Sequence, residues 1–236
     1  MSKLTVFENN GGKFLVSESL LISNLSRIKA FVFDWDGVFT NGEKDQDMQT
    51  RFNEVDSMGT NLLRFSYFLK NKELPVTAII SGENNKTAFA FTTRECFNSN
   101  YFKFKNKTDA TKHLCETFGI TPNEIAFVFD DVLDLSVAKQ CGVRIFIPRK
   151  ANPLLNEYII RNKLADYITS SSSGNYAVRE ATEVLMCCYD LFDQAIDERV
   201  TYSENYSNYI SQRSAVKTKH HTISEGKIIE VELQKP

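Results

Sequence analysis

Two carboxylates one residue apart, Asp34 and Asp36, follow the short apolar run Ala30-Phe31-Val32-Phe33. A second apolar run from Ile125 ends in Asp130 and Asp131, with Asp134 close behind. If both runs are buried parallel strands, their carboxyl ends lie where open α/β sheets bind ligands, and four or five carboxylates converge. Like charges that close stay ionised in a pocket only if something cancels them. A hard divalent cation with oxygen ligands does so, and magnesium fits best. Ser81-Gly82 closes the run Pro75 to Ile80 and supplies a hydroxyl and backbone N–H donors, while Lys107 precedes a helix and offers a compact positive charge. With the metal, these groups describe a phosphoryl-binding site.

Taken singly the pieces are weak. Asp-x-Asp is commonly a solvated turn, Ser-Gly usually only a turn, Lys107 an ordinary surface lysine, and Asp130-Asp131 could simply cap the next helix. The ordered combination is far more specific, because three pieces fall where strands should end and the fourth where a helix should begin.

The elements that must position them follow from periodicity. Ala30 to Asp34, Pro75 to Ile80, Ile125 to Asp130, Val143 to Ile147 and Asp166 to Thr169 read as buried parallel strands. Between them lie helical patterns at Leu62, Leu63, Phe65 and Leu69, at Thr87 to Phe97, at Asp109 to Phe118 and at Val132 to Gln140. Strand and helix alternate, so the expected fold is α/β, a doubly wound, Rossmann-like, mostly parallel sheet. Gly119 reads as a helix stop and Thr121 to Glu124 as a capping box, which makes Ile125 a fresh start.

From Ala177 the apolar positions Ala181, Val184, Cys188, Leu191 and Ala195, continued by Tyr202, Tyr206 and Tyr209, keep helical spacing. They predict one long helix, or two in line, projecting from the domain. The stripe either packs on its own sheet or meets another subunit. Beyond Ser211 the chain turns polar at Lys217, Lys219, His220 and His221, then alternates Ile229, Val231, Leu233. A flexible stretch and a small terminal β element are expected.

Of the 236 residues 42% are hydrophobic and 25% charged, which excludes a mainly disordered chain. Twenty-eight basic against 30 acidic side chains leave a net charge of -2, no field for gathering nucleic acid. Five scattered cysteines without a Cys-x-x-Cys pair fit reduced thiols in the cytosol. Glu8, Asn9, Asn10, Gly11 and Gly12 stand where a signal peptide needs apolar residues, and no window reaches the roughly 18 apolar residues of a membrane span. A cytoplasmic protein is expected.

Phe33-Asp34-Trp35-Asp36-Gly37-Val38-Phe39-Thr40, Ile80-Ser81-Gly82, Lys107 and Asp130-Asp131-Val132-Leu133-Asp134 resemble the four motifs of the haloacid dehalogenase superfamily of phosphatases. Phe52-Asn53, Asp56, Gly59 and Gly174 to Glu180 are similar to its capless branch, which contains the phosphatases of 3-deoxy-octulosonate 8-phosphate and of related nine-carbon sugar acids. The resemblance runs from Ile28 to Leu185 and implies three parts: an N-terminal extension at 1–27, a capless phosphatase domain at 28–185, and a C-terminal helical extension and tail at 186–236. Spacing agrees with the absent cap. Only 46 residues separate Asp34 from Ser81 and 25 separate Ser81 from Lys107, too few for a cap of about 50 residues beside the core elements.

The resemblance implies that Asp34 is the nucleophile of an aspartyl-phosphate mechanism and Asp36 the acid and base. The carboxylates of Asp34 and Asp130 and the carbonyl of Asp36 would hold magnesium. Ser81 and Lys107 would grip phosphoryl oxygens, and Asp131 and Asp134 would orient water on the metal or Lys107. Gly82, Glu83 and Arg94 fall among the substrate contacts. The implied partner is a small phosphorylated metabolite, with a homo-oligomer, a tetramer in the family, as the assembly.

Departures from the pattern bear on substrate. Phe129 replaces a glycine and puts a bulky ring beside the expected metal site, Val55 replaces an arginine, Glu83 matches the nine-carbon enzymes, and Glu43 to Arg51 is a short version of a flap hairpin. Phe129 and the lost arginine motivate one alternative, an inactive scaffold that keeps the fold; a further reading is phosphoryl transfer to another hydroxyl.

Overall fold

The computed structural model describes residues 3–46 and 50–232. Its strands are β1 (Lys13–Phe14), β2 (Ala30–Phe33), β3 (Val76–Ile80), β4 (Ser99–Tyr101), β5 (Ile125–Phe129), β6 (Val143–Phe146), β7 (Tyr167–Ile168), β8 (Lys219–Ser224) and β9 (Lys227–Glu230). They form one sheet in the order β1-β7-β6-β5-β2-β3-β4-β8-β9, parallel except for the outermost strand on each side. The expected fold class is the one found, and among the described residues no separate cap stands between the motifs.

Every residue of β2 and β5 is buried. The reason is two-sided cover. Phe31 and Phe33 face one core with α3 (Glu54–Asn71) and α8 (Ala177–Cys188), while Ala30 and Val32 face another with α5 (Lys107–Phe118) and α6 (Leu135–Ala138). A strand buried on both faces reads as a continuous apolar run, and each large side chain so buried contributes about 1.5–3 kcal/mol. The other helices are α1 (Thr5–Asn9), α2 (Glu18–Leu25), α4 (Lys86–Arg94), α7 (Pro153–Arg161), α9 (Phe192–Val200) and α10 (Glu204–Ala215). None is long and apolar enough to cross a membrane among the described residues.

The late motif around Gly174 to Glu180 proves to be a clamp between helices. Asp56, on the first turn of α3, accepts the backbone N–H of Arg179 at 2.8 Å and so satisfies a free donor at the start of α8. Gly59 lets the helices touch, since a Cβ there would stand 2.6 Å from Thr182 Oγ1. Glu180 accepts from the Tyr167 hydroxyl at 2.6 Å and from the backbone of Ser170 and Ser171 at 2.7 and 2.8 Å.

The projecting helix expected after Ala177 is corrected to three helices folded back on their own chain. Asp190 and Tyr202, at φ 55° and 53°, turn the backbone between them. Tyr206 and Tyr209 of α10 then pack on Phe65 of α3 with ring centroids 5.0 and 5.2 Å away, and the Tyr209 hydroxyl donates to the Asn61 carbonyl at 3.1 Å. The polar stretch is likewise no loop at Lys219, His220 and His221. It is β8, which covers the edge of β4; His221 stacks on Tyr101 at 4.9 Å, and both histidines are buried. The terminal β element is β9, which includes Ile229; Leu233 lies outside the described residues.

Candidate active site

β2, β3 and β5 are neighbours, in register at Phe33, Ile79 and Val128, so the residues that follow them emerge together. Asp34, Ser81 and Asp130 are all buried there. Lys107, the first residue of α5, reaches into the same place: its ammonium donates to Asp34 Oδ1 at 2.5 Å and to Asp134 Oδ1 at 2.6 Å. Burial opposes that charge, but the carboxylates of Asp34 and Asp134 outweigh it and hold the ammonium well above its ordinary proton affinity. Asp134 also accepts the backbone N–H groups of Asp130 and Asp131 at 3.5 and 3.2 Å, which ties the turn after β5 to Lys107.

Asp130 is the most strongly perturbed acid of the cluster. Burial and the neighbouring Asp34 push its carboxyl up to about 8, against the pull of Arg149, whose guanidinium donates to Oδ2 at 2.5 Å. Burial raises Asp134 to about 6, although Lys107 acts in the opposite direction. Asp34, Asp130 and Asp134 each offer an oxygen within 4.8 Å of the others, and Asp130 Oδ1 is buried with no hydrogen-bond partner. An all-oxygen donor set with an orphaned carboxylate oxygen fits a hard divalent cation of the magnesium class.

Asp36 is half-buried beside this cluster. The Asn85 amide donates to its Oδ1 at 3.3 Å and Lys44 Nζ lies 3.5 Å from Oδ2. Asn85 is held in turn by Thr50 Oγ1 at 2.7 Å, which also accepts from the Trp35 indole at 2.9 Å. An open cavity of about 490 Å³ adjoins Asp36 through Lys44 and is lined also by Phe39, Arg51, Phe52, Asn53 and Gly174. It presents the cations Lys44 and Arg51, the carboxylates Glu43 and Asp45, and two aromatic rings to a ligand. The expected flap at Glu43 to Arg51 supplies several of these walls, with 47–49 outside the described residues.

Not every anticipated residue joins the cluster. Ser81 Oγ accepts the N–H of Glu83 at 3.2 Å; Gly82 follows beyond the carboxyl end of β3, and Glu83 is exposed. Asp131 accepts the N–H of Val132 at 2.6 Å and caps the turn that ends at Asp134. Arg94 stands at the far end of α4, donating to Glu54 at 2.7 Å and Glu95 at 2.9 Å. Phe129 does not crowd the carboxylates. Its ring stacks on Phe127 at 5.6 Å and packs on Phe146 at 5.4 Å inside the core. Sequence reasoning missed Arg149, Asn85, Thr50 and Lys44. Of these only Lys44 carried a visible signal, as a charge in a segment already set aside as a flap.

No family model matches the chain. The 3-deoxy-D-manno-octulosonate 8-phosphate phosphatase of Escherichia coli strain K12 is 28% identical over 180 residues, covering 74% of this chain and 88% of the relative. Among solved structures, a Legionella pneumophila protein described as a HAD superfamily (subfamily III A) hydrolase superposes with a TM-score of 0.65 at 25% identity, covering 78% of this chain and 95% of that one. These homologues support a phosphatase of the haloacid dehalogenase type, related to the 3-deoxy-D-manno-octulosonate 8-phosphate phosphatases. The 3-deoxy-D-manno-octulosonate 8-phosphate phosphatase of Moraxella catarrhalis, solved with magnesium, phosphate and KDO, shares the fold at 23% identity, with a TM-score of 0.62 over 76% of this chain and 97% of its own.

Proposed function

We propose that the protein is a magnesium-dependent phosphatase that hydrolyses a small phosphorylated 2-keto-3-deoxy sugar acid through an aspartyl phosphate on Asp34. The observation that carries this reading is the meeting of Lys107, at the start of α5, with Asp34 and Asp130 at the ends of adjacent parallel strands. The substrate class is supported by the activity named for the Escherichia coli relative.

In this reading an Asp34 carboxylate oxygen attacks phosphorus, the bond to the leaving oxygen breaks, and Asp36 gives that oxygen its proton. Asp36 then takes a proton from the water that attacks the aspartyl phosphate, which releases phosphate and restores Asp34. Asp34, Asp130 and the Asp36 carbonyl would hold magnesium, which would supply positive charge for the phosphoryl oxygens. Lys107 holds and presents Asp34, and the Ser81 hydroxyl is placed to donate to a phosphoryl oxygen. Asn85 and Lys44 hold the Asp36 side chain beside the cavity.

The Phe129 ring in the core removes the main motive for an inactive scaffold. Phosphoryl transfer to another hydroxyl needs the same residues and differs only in the acceptor. A site without its own cap supports a homo-oligomer, a tetramer by the family reading, in which a neighbour shields it, and the proposal places the enzyme in the cytoplasm. The test is phosphate release from a panel of phosphorylated metabolites, including 3-deoxy-D-manno-octulosonate 8-phosphate, in magnesium and in chelator. Magnesium-dependent release from an acidic sugar phosphate supports the reading, and no release from any member contradicts it.

A further inference from the structure

Asp130 treats its two oxygens differently: Oδ2 is taken by Arg149 and Oδ1 is buried without a partner. Lys107 serves Asp34 and Asp134, and Arg149 serves Asp130. Arg149 comes from the loop after β6, which is anchored to the start of α7 because the Arg149 carbonyl accepts from the N–H of Asn152 and the amide of Asn156, each at 3.1 Å. Gly37, at φ 96°, makes room for the pair. A Cβ there would stand 2.0 Å from Arg149 Nη2 and 2.1 Å from Asp130 Oδ2. The glycine of the Asp-x-Asp-Gly loop therefore admits a guanidinium against the carboxylate expected to hold the metal.

Resting on the reading of this cluster as a magnesium site, we propose that Arg149 is a resident counter-ion of Asp130 with which magnesium competes, setting the affinity of the site for the metal. Affinity for hard divalent cations follows the charge count of the ligand set, and a guanidinium on one ligand cancels one unit of it. Holding the carboxylate in place works in the opposite direction, since a hydrogen-bonded partner of a metal ligand commonly favours binding. Charge prevails here because Asp130 is buried, where screening by water is weakest.

Two substitutions separate charge from positioning. Arg149→Gln keeps a donor for Oδ2 and removes the charge; Arg149→Lys keeps the charge. Magnesium is titrated calorimetrically into each full-length, chelator-treated protein, with circular dichroism as the check on folding. Arg149→Gln is expected to bind magnesium about 10-fold tighter than the parent, and Arg149→Lys within about 3-fold of it. Thermal melts with and without magnesium give a second readout: Arg149→Gln should melt lower in chelator and gain more on magnesium addition. Unchanged or weaker binding by Arg149→Gln overturns the proposal and leaves the phosphatase reading intact. Failure of the parent itself to bind magnesium overturns the metal reading on which both rest.

Discussion

Lys107 Nζ lies 2.5 Å from Asp34 Oδ1, a bond between the end of β2 and the first residue of α5 that spans 73 positions of sequence. Both groups are buried, so neither can lose the other cheaply. Lys107→Met should lower turnover by about 10²-fold or more. It should also destabilise the protein by about 3–5 kcal/mol in urea unfolding, because Asp34 and Asp134 are left as buried charges without their cation. Turnover close to the parent's would contradict the role given to Lys107.

Asp56 gives a pH signature away from the catalytic cluster. Burial raises its carboxyl from 3.8 to about 6, despite the bonds from Arg179 and Asn53. Between those values the folded protein holds a proton that the unfolded chain releases, so this contribution to stability falls as pH rises from about 4 to 6 and is flat above. Urea midpoints across that window should fall more steeply for the parent than for Asp56→Asn. Equal slopes would show that Asp56 titrates as it does in the unfolded chain.

The folded-back C-terminal helices predict what Tyr209→Ala does. Its ring is fully buried against Phe65 and Phe68, so the loss should be about 3–5 kcal/mol. The subunit count by light scattering should not change. A fall in mass with little loss of stability would mean that the tyrosines meet a neighbour.

The strand ends were legible in the sequence because β2, β3 and β5 are buried on both faces, which writes them as apolar runs that stop at Asp34, Ser81 and Asp130. β4 was not, since Ser99, Asn100 and Tyr101 form a strand only by pairing with β3 and β8. The breaks after α8 and α9 were hidden because Asp190 and Tyr202 adopt left-handed backbone where glycine usually marks the turn. Arg149 was invisible for a different reason. It has meaning only through Asp130 and Gly37, which no local pattern connects to it.

Removing Asp130 takes an oxygen from the metal cluster. Asp130→Ala should weaken magnesium binding about 10-fold or more by calorimetric titration. Binding as tight as the parent's would move the metal elsewhere.

The central claim is that Asp34 is the atom donor that attacks phosphorus. Asp34→Asn keeps the shape of the side chain and removes its nucleophilic charge, so the measurement is the turnover of this variant against the parent, on the same phosphate ester, at saturating magnesium. A loss of about three orders of magnitude or more, in a protein whose circular dichroism matches the parent's, is the result this account predicts; hydrolysis at the parent's rate, with contaminating phosphatases excluded, would contradict it.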